Sequence, residues 1–109
     1  MDLTIRVDES GTTRVVHLSG SCDLASAPGL RQTLHGLTPP EVQDVILDVT
    51  ALEFIDSTGL GVVLGAMRRL REGGGSLSIA GADGIVRRVL EITDLDKVIP
   101  MIDTAPATE

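Results

Sequence analysis

Aromatic residues are almost absent from this chain. Among its 109 residues there is no tryptophan and no tyrosine, and Phe54 is the single phenylalanine. Proteins that hold single-stranded nucleic acid stack its bases on aromatic side chains, so that function is disfavoured. The core has to be built from leucine, isoleucine, valine, alanine and methionine. An apolar content of 42% supports a globular fold over a disordered chain.

Positive charge is also scarce. Nine lysines and arginines face 16 aspartates and glutamates, which gives a formal net charge of -7. Because nucleic-acid phosphates are bound by lysine and arginine, the composition predicts no direct nucleic-acid contact. Arg68, Arg69 and Arg71 form one basic cluster where a helix is expected to end. Cations at that position complement the helix dipole, and we favour this local role over a DNA site.

Cysteine and long apolar runs are scarce too. Cys22 is the single cysteine, so the chain cannot form an internal disulfide, which fits a reducing cytosol. No apolar run approaches the roughly 20 residues that span a bilayer. The first residues lack the apolar segment of a signal peptide. We therefore expect a cytoplasmic protein without membrane contact. The scattered His17 and His35 also predict no metal site.

The length and the hydrophobic pattern predict one domain over residues 1–103, with a disordered tail over residues 104–109. Strand-like and helix-like segments follow the order β-β-α-β-α-β-α-β. Strands that alternate with helices after an initial hairpin are typical of an α/β fold. The predicted sheet has four or five strands, is mixed and largely parallel, and packs against helices.

The predicted hairpin joins an alternating edge strand over residues 3–7 to a second strand over residues 14–19. Residues 20–23 are expected to break that second strand. His17 lies inside it and is interpreted as an ordinary strand residue, because no other ligand-like residue is close to it in sequence. The first helix is predicted from Pro28, which suits a first helical turn, and from the leucines that follow it.

Four later segments of the predicted order are three strands and one helix. Residues 45–49 contain a continuous apolar run, which predicts a strand covered on both faces. Asp83 is a plausible N-cap for a helix whose apolar stripe consists of Ile85, Val86, Val89, Leu90 and Ile92. Between them, residues 77–80 predict a strand, and Val98 with Ile99 predicts a last short one.

The most distinctive segment is FIDSTGLG, residues 54–61, at a strand-to-helix junction. The helix after it is predicted from Leu60, Val63, Leu64, Met67 and Leu70. Gly61 and Gly65 lie inside that helix, and each glycine costs about 1 kcal/mol against alanine. We expect a close backbone approach there, either to the sheet or to a partner.

Enzymatic interpretations of this segment fail on spacing. Aspartic proteases use Asp-Ser/Thr-Gly, but here Asp56 is separated from Gly59 by two residues. The glycines do not match a dinucleotide fingerprint, and no lysine follows them as in a P-loop. A nucleophile elbow at Ser57 would need glycine where Ile55 stands. A simpler alternative stays open, in which Asp56 or Ser57 only caps the helix.

The residues of this segment, together with the Leu47-Asp48-Val49 strand before it, resemble the core of the STAS domain. Within that family they are similar to the bacterial anti-sigma factor antagonists. Residues 20–31 and 73–79 resemble further family segments, as do residues 85–99, so the resemblance covers roughly residues 3 to 103. It implies a single STAS-type α/β domain.

The resemblance also implies a function. Such proteins bind an anti-sigma factor that is a serine kinase, and this binding releases a sigma factor. The kinase phosphorylates the serine after the aspartate, here Ser57, and a serine phosphatase removes that phosphate. The chain itself would be neither an enzyme nor dependent on a cofactor, because ATP and magnesium belong to the kinase. The implied partner-binding residues are Asp23, Asp56, Ser57, Thr58, Gly59, Leu60 and Gly61.

The alternative is a STAS interaction module outside a sigma-factor circuit, such as an adaptor in a stress-signalling scaffold or a lipid-transport complex. Ser57 favours the first function, because such a module needs no phosphorylatable residue there. We expect a monomer or a weak homodimer. Asp23 should lie near Asp56 at one edge of the sheet.

Three features of the sequence depart from the family pattern. Ser21 and Cys22 stand where Glu-Leu is usual before Asp23. Asp94 stands where glycine is frequent, and aspartate tolerates a left-handed helix end better than most residues do. The C-terminal helix of many relatives has no counterpart after residues 100–103. Its absence would expose apolar surface and favour self-association.

Overall fold

The computed structural model describes residues 2–107. In this part of the chain five strands and three α-helices follow the predicted order. The strands are β1 (Leu3–Ser10), β2 (Thr13–Cys22), β3 (Asp44–Ile55), β4 (Ser76–Ala80) and β5 (Met101–Ile102). The helices are α1 (Ala27–His35), α2 (Ser57–Glu72) and α3 (Gly84–Ile92), and a short 3-10 turn covers Leu95–Lys97.

The strands form one sheet in the order β1-β2-β3-β4-β5. β1 and β2 pair antiparallel as the predicted hairpin, with β1 at the edge, and all later neighbours are parallel. The α/β class and the largely parallel sheet are therefore confirmed. Buried residues of all three helices join alternate residues of β2, β3 and β4 in one hydrophobic cluster. The helices consequently cover one face of the sheet.

β2 does not end where the sequence predicts. Residues 20–23 are expected to break the strand, but β2 continues to Cys22 through a shift of register between Gly20 and Ser21. Gly20 has a φ of 93°, and a Cβ there would collide with the backbone of Asp2. The glycine therefore marks a bulge within a strand rather than a strand end. This extension carries Asp23 to the edge of the sheet.

β3 is longer and less covered than predicted. Val45, Leu47 and Val49 are buried, whereas Ile46 and Asp48 between them keep partial exposure. The face of β3 that carries Ile46 and Asp48 is therefore only partly covered. The prediction that this strand is buried on both faces is wrong. The helices lie on the other face, so nothing comparable to a helix layer shields Asp48.

The C-terminal part differs in two further respects. The last strand is Met101–Ile102, paired with Ile79 and Ala80, so the predicted strand at Val98 and Ile99 is wrong. Those two residues directly follow the 3-10 turn, and their N–H groups both donate to the Leu95 carbonyl at its start. Asp94 before that turn has a φ of 60°, which confirms the left-handed conformation expected of it.

The apolar stripe of α3 is narrower than predicted. Val86 and Leu90 are buried, but Ile85 is 61% and Ile92 is 70% exposed. Asp83 caps the helix as expected and accepts a hydrogen bond from the Gly84 N–H. No helix follows β5 within the described residues, and residues 104–107 lie beside the exposed face of the sheet. The predicted disorder of residues 104–109 stays a prediction, and residues 108 and 109 lie outside the described residues.

Candidate functional site

The FIDSTGLG segment lies at the edge of the sheet where β2 and β3 end side by side. Cys22 pairs with Ile55 in the last step of the ladder. Directly beyond it, the Asp56 N–H donates to the Cys22 carbonyl over 3.1 Å. Because both strands point the same way, the loop after β2 and the start of α2 emerge next to each other. The predicted proximity of Asp23 and Asp56 is thus confirmed at the level of their loops.

Asp56 connects these two loops through its carboxylate. One oxygen, Oδ1, accepts the Gly59 N–H over 3.0 Å and caps α2. The other, Oδ2, accepts the Leu24 N–H over 3.2 Å. The helix-cap interpretation is therefore confirmed for Asp56, and the same side chain also tethers the loop after β2.

Asp23 organises that neighbouring loop. Its Oδ1 accepts the backbone N–H groups of Ala25 and Ser26, each over 3.1 Å. The Ser26 hydroxyl accepts the Asp23 N–H over 2.9 Å and donates to the Ser21 carbonyl over 2.8 Å. The hydrogen bond from the Ser26 N–H is the main cause that lowers the pKa of Asp23. Asp23 therefore places a fixed negative charge at this edge.

Ser57 is the first residue of α2, and its side chain is exposed. Within residues 2–107 its hydroxyl makes no hydrogen bond. Thr58 beside it is half-buried, and Gly61 one turn later is exposed. A side chain at this position lies at the positive end of the helix dipole and is accessible to another protein.

Gly59 and Leu60 lie beneath this surface. Leu60 is 6% exposed. A Cβ at Gly59 would lie 2.7 Å from Cys22 Sγ and 2.9 Å from Ile55 Cγ1. Gly59, and not Gly61 or Gly65, is therefore the glycine at which another backbone element approaches closely.

The expected close approach at Gly61 and Gly65 is not found within the described chain. No atom lies within 4 Å of a Cβ placed at Gly61, and at Gly65 the nearest atom belongs to the flexible Arg69 side chain. The sequence pattern identified glycines in a helix correctly, but it could not distinguish a packed glycine from exposed ones. Approach by a partner is the alternative that stays open.

Cys22 is the one sulfur atom at the site, and it is fully buried. Burial raises the pKa of its thiol to about 11, and the charges of Asp56 and Asp23 add to that effect. Only the thiolate is a strong nucleophile, so this thiol is inert at neutral pH. Its function here is to pack against Gly59.

Two exposed apolar side chains flank the site and were missed in the sequence. Leu24 is 74% exposed and Phe54 is 41% exposed. Leu24 lies in the tethered loop, next to Asp56, and Phe54 is the penultimate residue of β3. Strand alternation gives no signal for Phe54, because Glu53 and Phe54 are both exposed between the buried Leu52 and Ile55.

His17 also has a setting that the sequence did not reveal. Its Nδ1 lies 2.7 Å from Asp48 Oδ2, and its Nε2 lies 2.9 Å from Asp8 Oδ2. His17 lies within β2, as expected of a strand residue, and its ring in addition bridges β1 and β3 on the face away from the helices. Burial of the Asp48 carboxylate acts to raise its pKa. Hydrogen bonds from Thr50 and, after these, from His17 outweigh burial and lower the pKa below its ordinary value.

Neither metal binding nor membrane insertion is indicated by residues 2–107. No group of three or more histidine, cysteine, aspartate or glutamate side chains in this range has an arrangement suited to a metal ion. None of the helices described here combines the length and the apolar character needed to cross a bilayer.

Comparison with known proteins gives a consistent result. The family model of the STAS domain matches residues 4–107. The chain is 28% identical over 104 residues to the anti-sigma F factor antagonist of Paenibacillus polymyxa, covering 94% of this chain and 89% of that protein. It is 31% identical over 100 residues to the anti-sigma-B factor antagonist of Listeria monocytogenes, covering 91% and 88% of the two chains.

Solved structures show the same similarity. The anti-sigma factor antagonist SpoIIAA in its unphosphorylated form superposes with a TM-score of 0.82 at 26% identity, covering 94% of this chain and 89% of that one. The phosphorylated form of SpoIIAA from Bacillus superposes with a TM-score of 0.72 at 25% identity, covering 94% and 92%.

Proposed function

The chain belongs to the STAS domain family, and from this we propose that it is an anti-sigma factor antagonist that is switched by phosphorylation of Ser57. The resemblance inferred from the sequence is confirmed, and relatives that align over nearly the whole chain are named anti-sigma factor antagonists. In the proposed function the unmodified protein binds an anti-sigma factor kinase and frees a sigma factor.

One observation carries the proposal to Ser57. Its side chain is exposed at the N-terminus of α2 and makes no hydrogen bond within residues 2–107. Asp56 precedes it in the chain, and the Asp56 carboxylate also bonds to the loop that carries Asp23. A kinase needs such an accessible hydroxyl. That SpoIIAA has been solved in both an unphosphorylated and a phosphorylated form supports a modification on this fold. A phosphatase that acts on phospho-Ser57 would reset the switch.

The local charges explain how a phosphate would end binding. It adds about -1.5 to -2 charges. The helix N-terminus favours an anion by only about 0.3–1 kcal/mol. The charges of Asp23 and Asp56 oppose that small gain. A contact formed around a neutral hydroxyl would then bury or repel an anion, and a cost of about 3–4 kcal/mol weakens binding by about 10² to 10³. No change of fold is required.

The proposed contact surface combines this polar centre with apolar contacts. Ser57, Thr58 and Gly61 form its exposed or half-exposed part, and Leu24, whose N–H bonds to Asp56, supplies apolar area next to it. Buried Gly59 and Leu60 support the surface from below. An exposed apolar side chain next to hydrogen-bonding groups is typical of the surface that an interface buries.

Phosphorylation by the kinase tests this proposal. The protein is incubated with ATP, Mg²⁺ and the anti-sigma factor kinase of the source organism, and phosphate is located by mass spectrometry. Phosphate is expected on Ser57, absent from Ser57→Ala and retained in the matched Ser10→Ala variant, which changes an exposed serine of β1 outside the contact surface. An active kinase that leaves Ser57 unmodified would favour the alternative, a STAS interaction module outside a sigma-factor circuit.

A further inference from the structure

Positive charge in this protein is concentrated on two helices. α1 and α2 carry four of the nine basic residues but only one of the 16 acidic residues, Glu72. Four arginines against one glutamate give the two helices a net charge of +3. Because the whole chain carries -7, the remainder carries -10. The four residues, here called the basic face, are Arg31, Arg68, Arg69 and Arg71.

The arginines of the basic face are not used in ion pairs of the fold. None of them pairs with a carboxylate within residues 2–107, whereas four other basic residues lie 3.1 to 3.6 Å from an acidic side chain: Arg6, Arg14, Arg87 and Lys97. Arg71 donates to the Val98 carbonyl over 3.0 Å. Arg88 on α3 likewise has no ion pair within the described part of the chain. The unpaired charge of α1 and α2 is therefore available to another molecule.

The basic face is continuous with the surface around Ser57. Ser57, Gly61, Gly65 and Arg68 recur at helical spacing on one side of α2, and α1 packs against that helix. No atom obstructs Gly61, and only the Arg69 guanidinium lies over Gly65, 3.5 Å from a Cβ placed there. From Ser57 to Arg68 the helix rises about 16 Å. An interface that buries about 800 Å² per partner is wide enough to cover both residues.

We propose that the basic face is a second contact area for the same protein that recognises Ser57, and that the partner's facing surface is acidic. This rests on the proposed function. Ser57 supplies the switch, while Arg68 and its neighbours steer the partner into register by charge complementarity. Such a division raises the association rate and makes it dependent on ionic strength.

Other occupants of the basic face fit the charges less well. A nucleic acid or an anionic membrane would be repelled by the remaining -10 charges beyond the two helices. A symmetric second copy would place one basic face against another. An acidic protein surface that covers only α1 and the length of α2 meets neither difficulty.

The test measures association of the protein with the anti-sigma factor kinase by surface plasmon resonance at 50 and 500 mM NaCl. Arg68→Glu is compared with Arg88→Glu, which makes the same charge change on an unpaired arginine of α3. At 50 mM NaCl we expect Arg68→Glu to lower the association rate constant about tenfold. Arg88→Glu should stay within about twofold, and the difference should shrink at 500 mM because salt screens it. Circular dichroism confirms that both variants are folded.

Three results would overturn the inference. The Ser57→Asp variant is measured in the same assay, so that failure of the basic face can be distinguished from failure of the proposed function. If Ser57→Asp loses binding while both charge variants associate alike, the proposed function stands and the basic face does not contribute. If the unmodified protein does not bind the kinase, both proposals fail. The same variants are also tested for binding to phosphatidylserine vesicles and to duplex DNA. If Arg68→Glu weakens binding to one of these and leaves kinase binding unchanged, the occupant of the basic face is not a protein.

Discussion

Gly59 shows at the level of one residue how the site depends on close packing. A methyl group there would meet Cys22 Sγ at 2.7 Å and Ile55 Cγ1 at 2.9 Å, both in the buried core. At Gly61, two residues along the same helix, a methyl group meets nothing within 4 Å. The two glycines therefore have different physical reasons for their presence.

Alanine substitution should separate them. Gly59→Ala is expected to destabilise the protein by about 1–3 kcal/mol because core atoms must shift. Gly61→Ala should stabilise it by about 0.5–1 kcal/mol through helix propensity alone. Urea unfolding followed by circular dichroism measures both. Equal effects of the two substitutions would show that Gly59 is not held by packing.

The buried Cys22 thiol predicts a dependence of stability on alkaline pH. Its folded pKa of about 11 exceeds the ordinary value of 9.0. Because the pKa is higher in the folded state, the neutral thiol contributes its full stabilisation below pH 9. This stabilisation is lost as the pH rises through 11. The unfolding free energy should fall by about 2 kcal/mol between pH 9 and 11 through this group.

The matched variant is Cys22→Ala, which lacks the titrating thiol. It should be less stable at neutral pH because of the cavity, yet its unfolding free energy should fall less over the same pH range. Parallel pH profiles for the two proteins, measured by urea unfolding at each pH, would contradict the account of the thiol.

At the level of elements, Asp56 links the start of α2 to the loop after β2. Asp56→Ala removes both hydrogen bonds and should cost about 1–2 kcal/mol. Asp56→Asn keeps one side-chain oxygen, which can still cap the helix, but its NH₂ group cannot accept the Leu24 N–H. The asparagine variant should therefore recover most of the stability while the loop loosens.

Hydrogen exchange at the Leu24 amide distinguishes these effects. Exchange should be faster in Asp56→Asn than in the wild-type protein, although global stability is nearly restored. Unchanged protection at Leu24 in the asparagine variant would show that the 3.2 Å hydrogen bond to Asp56 does not order the loop.

The elements also show where sequence patterns suffice. The cap at Asp56, the proline in the first turn of α1 and the left-handed Asp94 were predictable, because each depends on neighbours within a few residues. The continuation of β2 through Gly20 was not, since a glycine with positive φ is compatible with both a bulge and a strand end. β5 was misplaced because its two residues are fixed only by pairing with β4.

At the level of the whole molecule, long-range contacts account for what the sequence left undetermined. His17 contacts Asp8, nine positions earlier in the chain, and Asp48, 31 positions later. Only the strand order β1-β2-β3 brings these residues together. The position of Ser57 was recognisable from its motif. Its two supporting loops could be expected near each other, but the tether from Asp56 to Leu24 and the exposure of Phe54 depend on the register of β2 with β3.

The whole molecule is proposed to be a binding partner, so the phosphorylation switch should appear as a difference in affinity. Isothermal titration calorimetry compares the unmodified protein with the protein phosphorylated at Ser57 in binding to the same anti-sigma factor kinase. We expect an affinity about 10² to 10³ lower after phosphorylation. Far-ultraviolet circular dichroism should be unchanged, because only local charge differs. Equal affinities of the two forms would show that phosphorylation of Ser57 does not switch binding.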